Sequence, residues 1–294
     1  MLEFNDVSFT LGKKVTDYKS VYDPKLLARH PRSINREKYK IEDSSIFSGY
    51  DIWHAYEETF LLVNGQPVTF ILKIKVPCSS AYIVESKSLK LYLYSFAMER
   101  IEGTKRQAIQ KYKQIVEKDL SELLECSVVV QVFEQNDYKP VQDYMISSAR
   151  SLDSLINFSQ LTFETVGEDP SLLELSEDVF EIHVKSDMLR SKCLITGQPD
   201  TGTVFIYMKG QTPTLDSLAK YIFALREEHH FHEEIVECFY KRLIDLFNPS
   251  QLLVAALYNR RGGIDICPVR TNHTPLLPLY LGNVDYLTEK EYRQ

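Results

Sequence analysis

At 294 residues the chain is long enough for two modules of ordinary size, each with its own core. Its hydrophobic share of 44% and charged share of 26% are those of a soluble globular protein, and no apolar run approaches the length of a membrane span. A net charge of −7 without a broad basic stretch argues against a nucleic-acid partner and leaves a small molecule as the default. The start Met1-Leu2-Glu3-Phe4-Asn5-Asp6 lacks the basic end and apolar core of a signal peptide. Five cysteines, an odd number spread widely and without a CxxC pair, read as reduced thiols. A cytoplasmic protein is expected.

The first forty or so residues are polar, with Pro24 and Pro31, and read as an arm (residues 1–45). A first α+β module is expected at 46–140. Within it Val68, Phe70, Leu72, Ile74 and Val76 alternate with mostly polar neighbours, the period of a half-buried strand. Leu89, Leu91 and Leu93 alternate with Lys90, Tyr92 and Tyr94 in the same way and predict a second strand, opened by Glu85. Ile109, Tyr112, Val116, Leu120 and Leu123 form an apolar stripe opposite Gln107, Lys111, Gln114 and Lys118, which predicts a helix. Val128, Val130 and Val132 predict a further strand.

The polar stretch 141–177 reads as a connection to a second module at 178–294. Val179 to Val184, with Phe180, Ile182 and Val184 on one face, predicts a strand leading towards Cys193. Thr196 to Gly202 breaks the pattern, and Val204 to Met208 predicts the returning strand. Leu215, Leu218, Ile222 and Leu225 mark one helix. Ile235, Val236, Phe239, Tyr240 and Leu243 mark the next, closed by Asn248-Pro249. Leu252 to Tyr258 and Ile264 to Val269 form a hairpin around Asn259-Arg260-Arg261-Gly262-Gly263. Strand pair, helices and strand pair, twice over, predict a duplicated α+β module with helices on one face of an antiparallel sheet.

The residues suited to chemistry cluster in four places. Cys193, at a strand end beside a turn rich in Gly and Pro, precedes the Asp200 carboxylate by seven residues; a thiol and an acid so placed are the parts of a covalent-catalysis site. For a single cysteine, a small buried hydrophobe is the commoner alternative. Glu85, in Glu85-Ser86-Lys87-Ser88-Leu89-Lys90-Leu91-Tyr92, can accept the paired N–H donors of a guanine-like edge, with Lys87 and Lys90 near phosphates; a charged edge strand is the plainer reading. Glu227-Glu228-His229-His230-Phe231-His232-Glu233-Glu234 places His229 and His232 on one helical face, but no HExxH or cysteine pair completes a zinc set. His232 and Glu233 read equally as pocket ligands or a solvated helix start. The two guanidinium groups of Arg260 and Arg261 on a glycine turn match phosphate oxygens, or else form an ordinary hairpin tip. Neither GxGxxG nor GxxxxGK[ST] occurs.

Taken together these motifs resemble the NADPH-dependent 7-cyano-7-deazaguanine (preQ0) reductases, the nitrile reductases of queuosine biosynthesis. The resemblance rests on Glu85 to Tyr92, the Cys193…Asp200 pair, His232-Glu233 and Arg260-Arg261-Gly262-Gly263. Leu11-Gly12, Tyr22-Asp23-Pro24 and Pro31-Arg32 are similar to the longer, two-module branch. The resemblance implies duplicated tunnelling-fold (T-fold) modules that assemble through their sheets, and a homo-oligomer, expected as a homodimer. It implies Cys193, Asp200 and His232 as catalytic residues, and Val84, Glu85, Ser86, Phe231, His232 and Glu233 as substrate contacts. NADPH would meet Ser86, Lys87, Lys90, Arg260, Arg261 and Gly262, with no metal. Cys193 would add to the nitrile carbon to give a thioimide, with Asp200 protonating the nitrogen. The alternatives are a zinc-dependent T-fold enzyme acting on a pterin precursor, of the cyclohydrolase or synthase type, and a non-catalytic purine- or pterin-binding module.

Overall fold

A computed structural model of the chain describes residues 5–6, 20–164 and 166–294. Met1–Phe4 and the motif residues Leu11 and Gly12 lie outside them. The architecture is α+β. The main sheet is dominated by antiparallel ladders, and its strands come from both halves of the chain. In the first half the longer ones are β2 (Ser48–Leu62), β3 (Pro67–Pro77) and β5 (Val129–Phe133). In the second they are β6 (Glu181–Ser186), β7 (Arg190–Cys193), β8 (Pro199–Lys209), β9 (His229–His230), β10 (Gln251–Tyr258) and β11 (Ile264–Thr271). The spatial order is β9-β7-β8-β10-β11-β2-β3-β5, with β6 also on β8. The halves meet where Ile264–Thr271 pairs with Ala55–Ser48, so that they share one hydrogen-bonded sheet.

The long helices pack on one side of it. α2 (Ser86–Ser95) and α3 (Lys105–Leu124) bury Leu89, Tyr92, Leu93, Tyr112, Val116 and Leu120 against Trp53, Leu72, Ile74 and Val130 of the first half. α4 (Leu215–Ala224) and α5 (His232–Phe247) bury Leu218, Ile222, Ile235 and Phe239 against Val204, Ile206, Val254 and Ala256 of the second. The opposite face carries the alternate residues Ile52, Phe205, Leu253, Ala255, Cys267 and Val269, and Ile146, Ala149 and Leu281 cover them. Among the described residues no helix is long and apolar enough to cross a membrane.

Most of the expected elements are present, and three readings need correction. The stretch from Glu85 to Tyr94 is a helix start, not a strand. The alternation of Leu89, Leu91 and Leu93 is overridden by a second pattern in the same letters: Leu89, Tyr92, Leu93 and Phe96, at i, i+3, i+4 and i+7, are all buried while Leu91 is only half-buried. Phe180 does not share the buried face of Ile182 and Val184; it precedes β6 and is 61% exposed. The arm is no free appendage. Its β1 (Ala28–Pro31) pairs with β4 (Tyr82–Val84), and Leu27 and Ala28 are fully buried.

The arm continues into α1 (Arg32–Lys38), whose Arg32 and Arg36 enter a buried cluster of charge at the seam between the halves. Arg32 Nη2 donates to Asp51 Oδ2 at 2.6 Å, and Arg36 donates to both carboxylate oxygens of Glu237 at 2.9 and 2.8 Å. Arg270 reaches both acids: Nη1 to Asp51 Oδ1 at 2.7 Å, Nη2 to Glu237 Oε1 at 2.8 Å. Asp51 and Arg270 lie on the two seam strands, Glu237 on α5 and the remaining arginines on α1. One cluster therefore ties the arm to both halves.

Burial alone would raise Glu237, but Arg270, Arg36 and Arg32 hold it down to about 2 from an ordinary 4.5. A carboxyl depressed in the folded state contributes stability that is present above its unfolded value and lost as pH falls through its folded one. Glu237→Gln should lower unfolding stability by about 3–5 kcal/mol, since it leaves buried guanidinium groups uncompensated. In urea titrations the wild type should also lose stability as pH falls from about 4.5 towards about 2, and the variant should lack that part of the loss.

Candidate active site

A cavity of about 420 Å³ opens between the halves, in the size range of small-molecule sites. The first half supplies Glu85, Ser86, Lys87 and Lys90. The second supplies Cys193, Asp200, Phe231, His232, Arg261 and Gly262. A single chain thus brings ten of the expected residues to one wall system. Val84, Glu233 and Arg260 do not line it. Val84 is buried in β4, and the Arg260 guanidinium lies 3.6 Å over the Tyr56 ring. Glu233 is buried, and burial with the Asp51 carboxylate pushes it well above the usual carboxylate range.

Glu85 is the N-cap of α2, and this explains its place. Its Oε1 accepts from the Lys87 N–H at 3.0 Å and its Oε2 from the Ser88 N–H at 2.7 Å. The paired donors expected from a ligand are, in this chain, supplied first by its own helix. A carboxylate has further lone pairs, so the group can cap and still face the cavity. Burial raises its pKa, against the pull of the two amides. The arm completes the support: Glu85 N–H donates to Ala28 O at 2.9 Å, and Ala28 N–H donates to Ser88 Oγ at 3.0 Å.

Cys193 ends β7. Its N–H donates to Gln198 O at 2.8 Å and its carbonyl accepts from Gly197 N–H at 3.0 Å, which closes the turn and leaves the half-buried residue on the cavity wall. Burial raises the thiols of Cys78, Cys126, Cys238 and Cys267 above their ordinary value, Cys238 to about 12. None of these four suits a nucleophile. Asp200 lies next to Pro199 at the start of β8, where it pairs with Ser191 and is buried. Its Oδ1 accepts from Arg261 Nη1 and lies 3.7 Å from His232 Nε2, while Arg261 Nη2 donates to Gln198 Oε1. Burial, aided by Arg261 and opposed by Asp200, lowers His232 to about 4, so the imidazole is neutral at pH 7.

Two glycines fix the geometry. Gly262 has φ +58°, and a Cβ there would run into Lys90 Nζ, so the lysine crosses directly over the turn. A Cβ on Gly202 would meet Leu257 O at 2.6 Å, so glycine lets β10 approach β8 just beyond Asp200.

The expected shared helical face of His229 and His232 is not formed. α5 begins at His232, whereas His229 is exposed in β9. Glu234 ends the preceding run by accepting from the Phe231 N–H at 3.0 Å, a cap interaction that the sequence reading overlooked. The described cluster of metal-ligating types lies elsewhere, at His54, Asp265 and Cys267, where the Lys290 ammonium sits 3.0 Å from Asp265 and 3.1 Å from His54. Gln198, Asn259, His230, Thr196, Ile264 and Ile266 also line the cavity and carried no signal beyond adjacency to the motifs.

Comparison with known proteins bears on this geometry. A family model described as nitrile reductase, 7-cyano-7-deazaguanine-reductase N-term, matches residues 18–132, and one described as QueF-like protein matches 199–276. A Rickettsia felis protein is 37% identical over 271 residues, covering 91% of this chain and 94% of that protein. The chain belongs to the 7-cyano-7-deazaguanine reductase family. A Colwellia psychrerythraea member is 35% identical over 92% of this chain and 93% of its own length, and one from Burkholderia multivorans 37% over 90% and 94%. All three relatives are named NADPH-dependent 7-cyano-7-deazaguanine reductase. Both family matches contribute to the cavity: Glu85 to Lys90 fall in the first, and Asp200 to Ile266 in the second.

Because Glu85 caps a helix, Glu85→Ala should lower the stability of the ligand-free protein by about 0.5–2 kcal/mol in addition to any effect on binding. Glu85→Gln, which keeps one capping oxygen, should lose less. Urea titration of both variants without substrate checks this; equal stability of Glu85→Ala and wild type would show that the cap contributes nothing.

Proposed function

We infer that the chain reduces the nitrile of 7-cyano-7-deazaguanine to the primary amine of 7-aminomethyl-7-deazaguanine (preQ1) with NADPH. The observation that carries this reading is that Cys193 and Asp200 open on one cavity with Glu85 of the other half, in a chain of this family. The continuous sheet with its helices on one side is in keeping with two T-fold modules, one in each half. Homodimeric assembly through sheet edges and a cytoplasmic location belong to the same reading.

Cys193 attacks the nitrile carbon, and its proton passes through Asp200 to the nitrile nitrogen, which gives a neutral thioimide. Arg261 pairs with Asp200 and so orients the carboxylate that receives the thiol proton. Neutral His232 beside Asp200 can accept or donate a hydrogen bond to the reacting nitrogen. Phe231 offers a ring to stack on the base, and Glu85 and Glu233 are the acids suited to its amide-and-amino edge. Once a hydride has been added to the thioimide carbon, loss of the Cys193 thiolate would free the imine and restore the nucleophile.

Lys87, Lys90 and Arg261 are three cations around one cavity in a chain of net charge −7, and the Gly262 turn allows close backbone approach. These groups fit a phosphate-bearing nicotinamide cofactor, with Ser86 as a further polar contact and Arg260 beyond the rim. NADPH supplies the hydrides, and a four-electron reduction needs two of them. The His54, Asp265 and Cys267 cluster is filled by an ammonium, and nothing observed favours the zinc-dependent alternative.

Incubation with 7-cyano-7-deazaguanine and NADPH should consume two NADPH per amine formed. Asp200→Asn should cut turnover by about 10²–10⁴-fold while substrate binding changes far less, because it removes the proton carrier. A one-to-one stoichiometry, or near wild-type turnover in the variant, would contradict this mechanism.

A further inference from the structure

The ladder of β2 with β3 holds one extra residue between the pairs Ala55–Leu72 and Glu58–Phe70, so Tyr56 and Glu57 face Ile71 alone. A bulge of this kind re-aims a side chain and is over-represented next to active sites. Here it sets Tyr56 against the turn that joins β10 to β11, where the Tyr56 N–H donates to Gly263 O at 2.9 Å. The ring is fixed from its other end as well. Its hydroxyl donates to Asp265 Oδ2 at 2.7 Å, and the buried Asp265 is itself held by His54 at 2.7 Å and Lys290 at 3.0 Å. Tyr56 is thereby a rigid plate under the turn.

On that plate lies Arg260, its guanidinium 3.6 Å over the ring centroid, within stacking distance. The residue is exposed, and among the described residues no hydrogen bond or ion pair takes up its N–H donors. The neighbouring acid Glu57 accepts from the Tyr94 hydroxyl instead. The other cations of the site differ: Arg261 gives its fork to Asp200 and Gln198, while Lys87 and Lys90 are point charges on the cavity wall. Arg260 stands between Asn259 and Arg261, which line the cavity, but turns out of it onto Tyr56. A cavity of about 420 Å³ suits the base with a nicotinamide beside it, so the adenosine half of the cofactor lies beyond the rim. Lys90, which crosses Gly262, is the cation that a diphosphate meets on the way.

We propose that Arg260 selects NADPH over NADH by taking the 2′-phosphate of the adenosine ribose, and that Tyr56 is the positioning residue that holds the guanidinium ready for it. An arginine stacked in advance loses little freedom on binding, and its fork matches two phosphate oxygens. The ribose of NADH offers only a hydroxyl there and gains far less. The inference rests on the cofactor reading above and names which cation does the selecting.

The test measures kcat/KM with NADPH and with NADH, the affinity for 2′,5′-ADP and for 5′-AMP, and thermal stability. The variants are Arg260→Ala, Tyr56→Leu, Tyr56→Phe and the Arg260→Ala, Tyr56→Leu pair. Arg260→Ala should lower the NADPH-over-NADH ratio of kcat/KM about tenfold, the size of one charge-assisted contact, and weaken 2′,5′-ADP far more than 5′-AMP. Tyr56→Leu should shift both in the same direction by a smaller factor. Tyr56→Phe, which keeps the ring, should retain the wild-type ratio, and Tyr56→Leu should add nothing to the ratio once Arg260 is alanine. An unchanged ratio in Arg260→Ala overturns the inference; if Lys90→Ala or Arg261→Ala then lowers it, the cofactor reading stands. A wild type that separates neither NADPH from NADH nor 2′,5′-ADP from 5′-AMP overturns that reading, and the inference with it. A Tyr56→Leu protein that weakens NADPH and NADH alike, or only in proportion to lost stability, makes the ring structural and removes its positioning role.

Discussion

The arrangement turns on three buried arginines and two buried acids. Arg32 and Arg36 come from the arm, Asp51 and Arg270 from the two strands at the seam, and Glu237 from the helix that begins at His232. Taking these charges out of water is costly, and apolar replacements of equal volume would often be as stable. The cluster does what an apolar patch does not do: each guanidinium fork accepts only one geometry of its carboxylates, so it fixes how three separate segments dock. With two acids for three guanidinium groups, one positive charge is left over, and Glu233 stands beside it. The acid proposed to read the substrate is thereby tied to the contact that closes the fold.

From that contact the cavity follows. The arm strand it anchors donates to Ser88 and accepts from Glu85, which sets the start of the helix carrying Ser86, Lys87 and Lys90. On the other side, the helix carrying Glu237 begins with His232 and Glu233, one residue after Phe231. The seam strands Ser48–Leu62 and Ile264–Thr271 hold these two helix starts on the same side of a common sheet. Glu85 therefore has two duties, as cap and as cavity wall, and substitutions there mix stability with binding.

The strands and the later helices were legible because their burial is one-sided: Val68 to Val76 alternate as a sheet face must, and the Ile109 to Leu123 stripe lies on one helical face. The Glu85 helix was misread because Leu89-Lys90-Leu91-Tyr92-Leu93 satisfies both periods, and the buried Phe96 one turn on, with the cap hydrogen bonds of Glu85, decides for the helix. The arm was misread because its buried groups are arginines, which look like solvent-facing residues until their partners, about twenty to two hundred positions away, are known. The motif residues were legible one by one through family resemblance. Their meeting was not: neither the Asp200–Arg261 pair nor the approach of Lys90 to Gly262 has a signature in local sequence.

One chain brings Cys193, Asp200 and Glu85 to the same cavity. Cys193 as the nucleophile is tested by intact-mass analysis and peptide mapping after incubation with 7-cyano-7-deazaguanine in the absence of NADPH. The account predicts one substrate mass added per chain, carried by Cys193 and lost in Cys193→Ala. An adduct on Cys126 or any buried cysteine, or no adduct under conditions where the enzyme turns over once NADPH is supplied, would contradict it.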